Sequence, residues 1–274
     1  MRRGRLAWLT ALGLARMGFF IPYRYAGRVA AAGTRPPYAA IERLFAGHEA
    51  VFRATLDRVE DMKGALEAMA GPPPEPRWDQ DWFPRLDAAV AYALLRAARP
   101  SLVVEVGSGH STRFLARAVA DEGLATRVVA IDPKPRARLP AAVEHIAADL
   151  GAAGDEPFRR LGAGDILFID SSHVLMPGTD VDLLLNRIVP ALPSGALVHL
   201  HDVFLPDDYP AEWSWRGYNE QLGVAALLAG GGFQPLFASR YVATRRPDWF
   251  AEGAVSRLPL PPGAFDSSLW LRKR

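Results

Sequence analysis

The stretch "VVEVGSGHSTRFLARA", Val103 to Ala118, decides how this chain is read. An apolar run ends in Glu105, Gly107 and Gly109 follow, and an amphipathic segment begins. Strand, glycine turn and helix start in that order make a loop whose backbone can approach a ligand closely. A dinucleotide-binding loop would read G-x-G-x-x-G, its third glycine letting the helix pack against the strand. Thr112 occupies that third position. The chain also lacks G-x-x-x-x-G-K-[ST], the loop that cradles a nucleoside triphosphate. What remains is E-x-G-x-G, and a carboxylate two residues before the first glycine suits a cationic ligand, not a pyrophosphate.

The same alternation runs outward from this stretch. Ser101–Val106, residues 126–132, 141–149, 165–170, 196–202, 233–243 and 267–273 read as seven strands or contain them. Helical periods lie between: Phe83–Pro100, 111–123, 179–190 with Thr179 as its cap, and 218–230. The pattern predicts an α/β fold, a doubly wound, Rossmann-like, seven-stranded and mainly parallel sheet. Ahead of it, Ile41, Phe45, Phe52, Val59, Leu66 and Met69 mark a long helical stripe that stops at "GPPPEP", Gly71 to Pro76. The expected organisation is an N-terminal helical extension over 1–70, a Pro-rich linker over 71–82 and the main domain over 83–274.

In such a sheet the ligand lies beyond the carboxyl ends of the strands. Those ends carry Glu105 with its glycine loop, Asp132, Asp149, Asp170 followed by Ser171–Ser172–His173, and His201–Asp202. Helix capping explains one or two of these acids, not all. Asp132, placed to accept both hydroxyls of a ribose, and Glu105, facing a cation, together fit a nucleoside with a charged amino-acid tail: S-adenosylmethionine.

At these residues the chain resembles a known family. "EVGSGHST", "AIDPKP", "FIDSSHV" and "HLHDVF" are similar to successive motifs of class I S-adenosylmethionine-dependent methyltransferases, in the small-molecule O-methyltransferase branch, over roughly Phe83 to Lys273. The resemblance implies that Glu105, Gly107, Ser108 and Gly109 hold the methionine end, Asp132 the ribose and Asp149 the adenine amino group. It also implies a small-molecule acceptor bearing a hydroxyl, such as a sugar, polyketide or phenol.

A hydroxyl acceptor must lose a proton during methyl transfer. His173 titrates near neutrality in its ordinary state and is the expected general base. Asp170 and Asp202, on neighbouring strand ends, are expected to orient the acceptor, directly or through a divalent ion such as Mg²⁺. Related metal-dependent enzymes place an acidic or amide pair after the fifth strand. Here that pair is His201–Asp202, one oxygen ligand short. Aromatic residues Tyr209, Trp213, Trp215 and Tyr218 follow, as a stacking surface or a packed cover. A cofactor-binding accessory protein without transferase activity is the second reading, and a Rossmann oxidoreductase the third, opposed by Thr112.

Charge and composition narrow the partners. The chain of 274 residues has a net charge of +2, no cysteine and half its residues hydrophobic. Residues 1–36 hold seven arginines and no acid, leaving −5 for the rest, so the basic balance does not argue for nucleic acid. "LAWLTALGLA", Leu6 to Ala15, is too short to span a bilayer, which takes ~20 apolar residues. It is expected to dock on the body as a helix, with an anionic membrane surface as the alternative. The helical stripe is expected to pack on the body or on a second copy in a homodimer, and the cytoplasm is the expected location.

Overall fold

The computed structural model describes residues 3–274, with side chains from Leu6 onward. Met1 and Arg2, part of the basic N-terminus, lie outside the described residues. The sheet has seven strands: β1 (Leu102–Val106), β2 (Arg127–Ile131), β3 (Glu144–Ile146), β4 (Ile166–Ile169), β5 (Leu197–Leu200), β6 (Phe233–Ala238) and β7 (Leu269–Lys273). Their order is β3-β2-β1-β4-β5-β7-β6, with β7 antiparallel to both neighbours. The central strands are buried along their whole length and mostly apolar, as parallel sheets covered by helices require.

Register turns this sheet into a site. Val106 pairs with Ile131 and with Ile169, and Ile169 pairs with Leu200. The last residues of β2, β1, β4 and β5 are therefore flush. Whatever follows them forms one row: Asp132, Gly107, Asp170 and His201. Strand order reverses between β1 and β4, so a cleft opens in the middle of that row.

Seven helices matter for the argument: α1 (Arg3–Ala11), α2 (Ala39–Ala46), α3 (Glu49–Asp61), α4 (Lys63–Glu67), α5 (Arg85–Ala98), α6 (His110–Asp121) and the later helix Glu220–Ala229. The stripe read as one long helix is broken into α2, α3 and α4, with turns at Gly47–His48 and Met62. Its apolar side chains are buried within the chain itself. Phe52 packs edge-on against Phe237 and Tyr241, and Phe45 against Tyr241. Ile41, Leu56, Leu66 and Met69 share one core with the sheet. Residues 71–82 also pack on this body: Trp78 is buried and donates from Nε1 to the Leu66 carbonyl at 3.0 Å.

Two expectations are corrected. The strand read over 233–243 stops at Ala238, and Ser239–Arg245 is helical. Tyr241 and Val242 have high strand propensity, but burial of Tyr241 against α2 and α3 overrides it. The N-terminal apolar stretch does form α1, yet it does not dock on the body. Trp8, Leu12 and Leu14 are 66%, 64% and 71% exposed.

Candidate active site

The glycine loop is shaped by contacts that only glycine tolerates. Gly107 has φ +79°, and a Cβ there would stand 1.8 Å from the Asp170 carbonyl oxygen. Just beyond it, the Ser108 amide and hydroxyl donate to Asp132 Oδ2 at 2.7 and 3.1 Å, and the Lys134 amide donates to Oδ1 at 2.7 Å. Asp132 thus ties the loop after β1 to the loop after β2.

Glu105 takes a different place from the one expected. It is fully buried and accepts from the hydroxyls of Ser111 and Thr112, both at 2.6 Å. Thr112 in turn accepts from the Gly109 amide at 2.9 Å. The residue that replaces the third glycine is therefore the fastener of the loop, and Glu105 is its anchor. Its side chain lines neither of the two cavities described below. Burial pushes the Glu105 carboxyl up to about 8, although the two hydroxyls pull the other way.

Two adjoining cavities fill the cleft. The larger, about 920 Å³, is lined by Gly107, Ser108, Asp132, Asp149, Asp170 and Asp180, among others. Asp149 lines it while capping the helix Leu150–Ala153, accepting from the Ala152 amide at 2.9 Å. The smaller, about 120 Å³, is lined by Gly109, His110, His173, His201, Asp202 and the aromatic rings of Trp82, Trp213, Tyr218 and Phe265. Ser108, Arg136 and Asp170 line both.

At the junction sits a cluster of buried charge. His173 is 3% exposed, and its Nε2 is 3.3 Å from Asp170 and 3.5 Å from Asp202. Its Nδ1 donates to Glu220 at 2.8 Å. His201 Nδ1 is 3.5 Å from Asp170 and 3.6 Å from Asp202, and its Nε2 is 3.4 Å from Asp87. Burial alone would lower the pKa of both rings. The surrounding carboxylates reverse this and raise both well above the ordinary histidine value. Asp170 is held well below the ordinary carboxylate range: its burial works upward, and the two rings outweigh it.

The carboxylates around His173, the residue expected to act as general base, favour its protonated form. Asp170 and Asp202 do meet at the cleft, but the His173 ring reaches both of them. Among the described residues, no group of three or more His, Asp or Glu side chains is arranged to hold a metal ion. Among the described residues, three non-glycine residues have positive φ, and two of them, His173 at 58° and Asp202 at 54°, belong to this cluster.

Several residues here were not legible from strand ends. Glu220 opens the helix Glu220–Ala229, and Asp87 sits in the first turn of α5, where an acid ordinarily answers the helix dipole. Asp87 instead accepts from the amides of Ser267 and Ser268 and faces His201. Arg136 lies 4.3 Å over the Trp82 ring, and Arg216 lies 3.9 Å over Trp213 and 4.0 Å from Asp202. Tyr209 is a buried cover, whereas Trp213 and Tyr218 face the smaller cavity. His110 Nδ1 is buried there without a hydrogen-bond partner, and burial lowers its pKa to about 4.

Residues 104–203 match the family model described as "Methyltransferase domain". A search of curated proteins gives no match. Among solved structures, the O-methyltransferase from Bacillus cereus in complex with SAH is 14% identical, with 81% of this chain and 91% of that one covered and a TM-score of 0.42. The SAH-bound Podospora anserina methyltransferase PaMTH1 is 15% identical over 94% and 99%, with a TM-score of 0.42. The branched-chain polyamine synthase from Thermus thermophilus is 17% identical over 78% and 63%, with a TM-score of 0.43. The segment that is similar to a methyltransferase domain holds the glycine loop, Asp132, Asp170 and the His201–Asp202 pair on one parallel sheet.

Proposed function

We propose that the chain methylates a hydroxyl oxygen of a small molecule, with S-adenosylmethionine in the larger cavity and the acceptor in the smaller one. The observation that carries this reading is the shared wall: Asp170, with Ser108 and Arg136, lines both cavities, so two ligands would meet there. Close, aligned placement of two reactants is itself a large part of catalysis.

The larger cavity fits the cofactor. Gly107 leaves backbone bare where any side chain would collide, and Asp132 presents carboxylate oxygens to a ribose. Asp149 lines the far part of the cavity, toward an adenine, with one oxygen engaged in its cap. Bound S-adenosylmethionine supplies a methyl group activated at a sulfonium.

The acceptor side belongs to this chain's residues. Trp82, Trp213 and Tyr218 offer ring faces to a flat or sugar-like acceptor. The imidazolium of His173, and that of His201 behind it, stabilise negative charge developing on an acceptor oxygen. Asp202 lines the acceptor cavity and not the cofactor cavity, and it takes the hydroxyl proton. His173 is then an electrostatic and positioning group, not the base.

The test has two arms. Calorimetry with SAH and with NAD reads the cofactor site. Incubation with S-adenosylmethionine and a panel of sugars, phenols and amines, followed by mass spectrometry, reads the acceptor. SAH binding without methylation of any acceptor would favour the accessory-protein reading. Methylation of amines in preference to hydroxyls would overturn the oxygen assignment.

A further inference from the structure

We infer that residues 6–29 form a docking surface for an anionic lipid bilayer. The inference is independent of the acceptor assignment. It begins with surface that the fold leaves bare. Trp8, Leu12, Leu14, Phe19, Phe20 and Ile21 are 49–71% exposed, although the chain has a core of its own into which α2 to α4 are packed. Isolated exposed apolar residues are ordinary, but a contiguous run of this size marks an interaction site.

Charge selects the partner. Arg16, Arg24 and Arg28 are exposed within the same run, and no acidic residue precedes Glu42. Arg24 and Arg28 lie over the Tyr25 ring, at 5.6 and 5.5 Å. Arginines interleaved with Trp, Phe and Tyr match the interface of an anionic membrane, where rings enter the headgroup boundary and guanidinium groups meet lipid phosphates. A second copy of the chain fits less well. A two-fold contact through this surface would set arginines against arginines with no acid to answer them.

The surface lies on a bilayer and does not cross it. The helix α1 has nine residues, and no helix among the described residues is long and apolar enough to span. The run is nonetheless fastened to the body at its end. The Gly33 amide and the Arg35 Nε donate to Asp208 at 2.8 and 2.7 Å, and the Tyr38 amide donates to the Pro206 carbonyl at 2.8 Å. That loop leads directly into Trp213 and Tyr218 of the acceptor cavity.

The experiment is flotation of the full chain with vesicles of phosphatidylglycerol and phosphatidylcholine, against vesicles of phosphatidylcholine alone. Binding is expected to the anionic vesicles and to weaken as salt rises. Replacing Arg16, Arg24 and Arg28 together by Gln should weaken it by roughly 10²-fold, about five-fold for each charge. Phe19→Ser, Phe20→Ser and Ile21→Ser combined should abolish it. Both variants should keep SAH affinity and melting temperature, since these side chains touch no core. Absence of binding to anionic vesicles, or equal binding to neutral ones, would overturn the inference. So would a concentration-dependent dimer that the Phe19, Phe20 and Ile21 changes dissociate, which would give the surface to a second copy.

Discussion

Glu220 accepts a hydrogen bond from His173 Nδ1 at 2.8 Å, and both side chains are buried. The bond fixes the ring with Nε2 aimed at Asp170 and Asp202. The backbone reinforces it, because the Asn219 and Glu220 amides both donate to the His173 carbonyl, at 3.0 and 3.3 Å. The neighbouring carboxylates favour the protonated form of a histidine so enclosed, against the opposing effect of its burial.

Removing that partner should therefore change a pH profile as well as a rate. Glu220→Gln should lower the His173 pKa toward its ordinary value. A raised histidine pKa stabilises the fold below the unfolded value and loses that contribution as pH rises through the folded one, so the variant should lose it at lower pH. The basic limb of the rate profile should move to lower pH in the same direction. Turnover should fall ~10–10²-fold, the cost of a hydrogen bond to a charged group. NMR titration of the His173 ring checks the pKa; an unmoved titration would show that Glu220 does not hold the proton there.

Gly107→Ala tests the glycine loop. The new Cβ meets the Asp170 carbonyl oxygen at 1.8 Å, at a φ of +79° that Ala disfavours. Loop and strand end must separate, at a cost of about 2–5 kcal/mol in stability. SAH affinity should fall with it, since the same carbonyl borders the larger cavity. Denaturant unfolding and calorimetry measure the two; a variant as stable as the parent would mean the loop relaxes without cost.

Asp132→Ala should weaken SAH binding by ~1–3 kcal/mol, as loss of hydrogen bonds to a charged acceptor does. Ser108→Ala serves as the control. It removes one bond that organises Asp132 and leaves the carboxylate in place. Equal losses in the two would assign Asp132 to loop structure and not to the ribose.

Much of this was legible in the sequence because it is local. Strand periods locate all seven strands, and flush register brings Asp132, Gly107, Asp170 and His201 into one row. What was not legible depends on tertiary neighbours. The sequence places His173 after the fourth strand but does not show that Glu220, forty-seven residues on, lies beside it. Nor does it show that the hydroxyls of Ser111 and Thr112 turn in to donate to Glu105. The apolar Leu6–Ala15 stretch reads as core because composition does not say which apolar segment the body covers.

Glu105 also predicts a pH dependence of stability. Its carboxyl titrates at about 8 in the fold against an ordinary 4.5. The folded state therefore keeps a proton that the unfolded chain has lost between those values, and the contribution to stability falls as pH rises through that window. Glu105→Gln carries no ionisable proton. Relative to the parent, it should gain stability on going from pH 4.5 to 8, by up to a few kcal/mol. Parallel stability curves for parent and variant would show that Glu105 does not titrate in this window.

The last prediction separates proton transfer from metal chemistry at the cavity junction. Asp202 borders the acceptor cavity, and the His173 ring reaches it and Asp170. If Asp202 takes the acceptor proton, Asp202→Asn should lower turnover ~10²–10⁴-fold while SAH affinity is kept, because the residue does not line the cofactor cavity. His173→Gln should lower turnover less, since it removes a stabilising charge and leaves the base. Chelation should leave the parent rate unchanged, because the positive charge beside the acceptor oxygen comes from imidazolium. Turnover abolished by a chelator and restored by Mg²⁺ would reverse this assignment. It would return Asp170 and Asp202 to a divalent ion and require His173 to move aside or lose its proton when the ion binds.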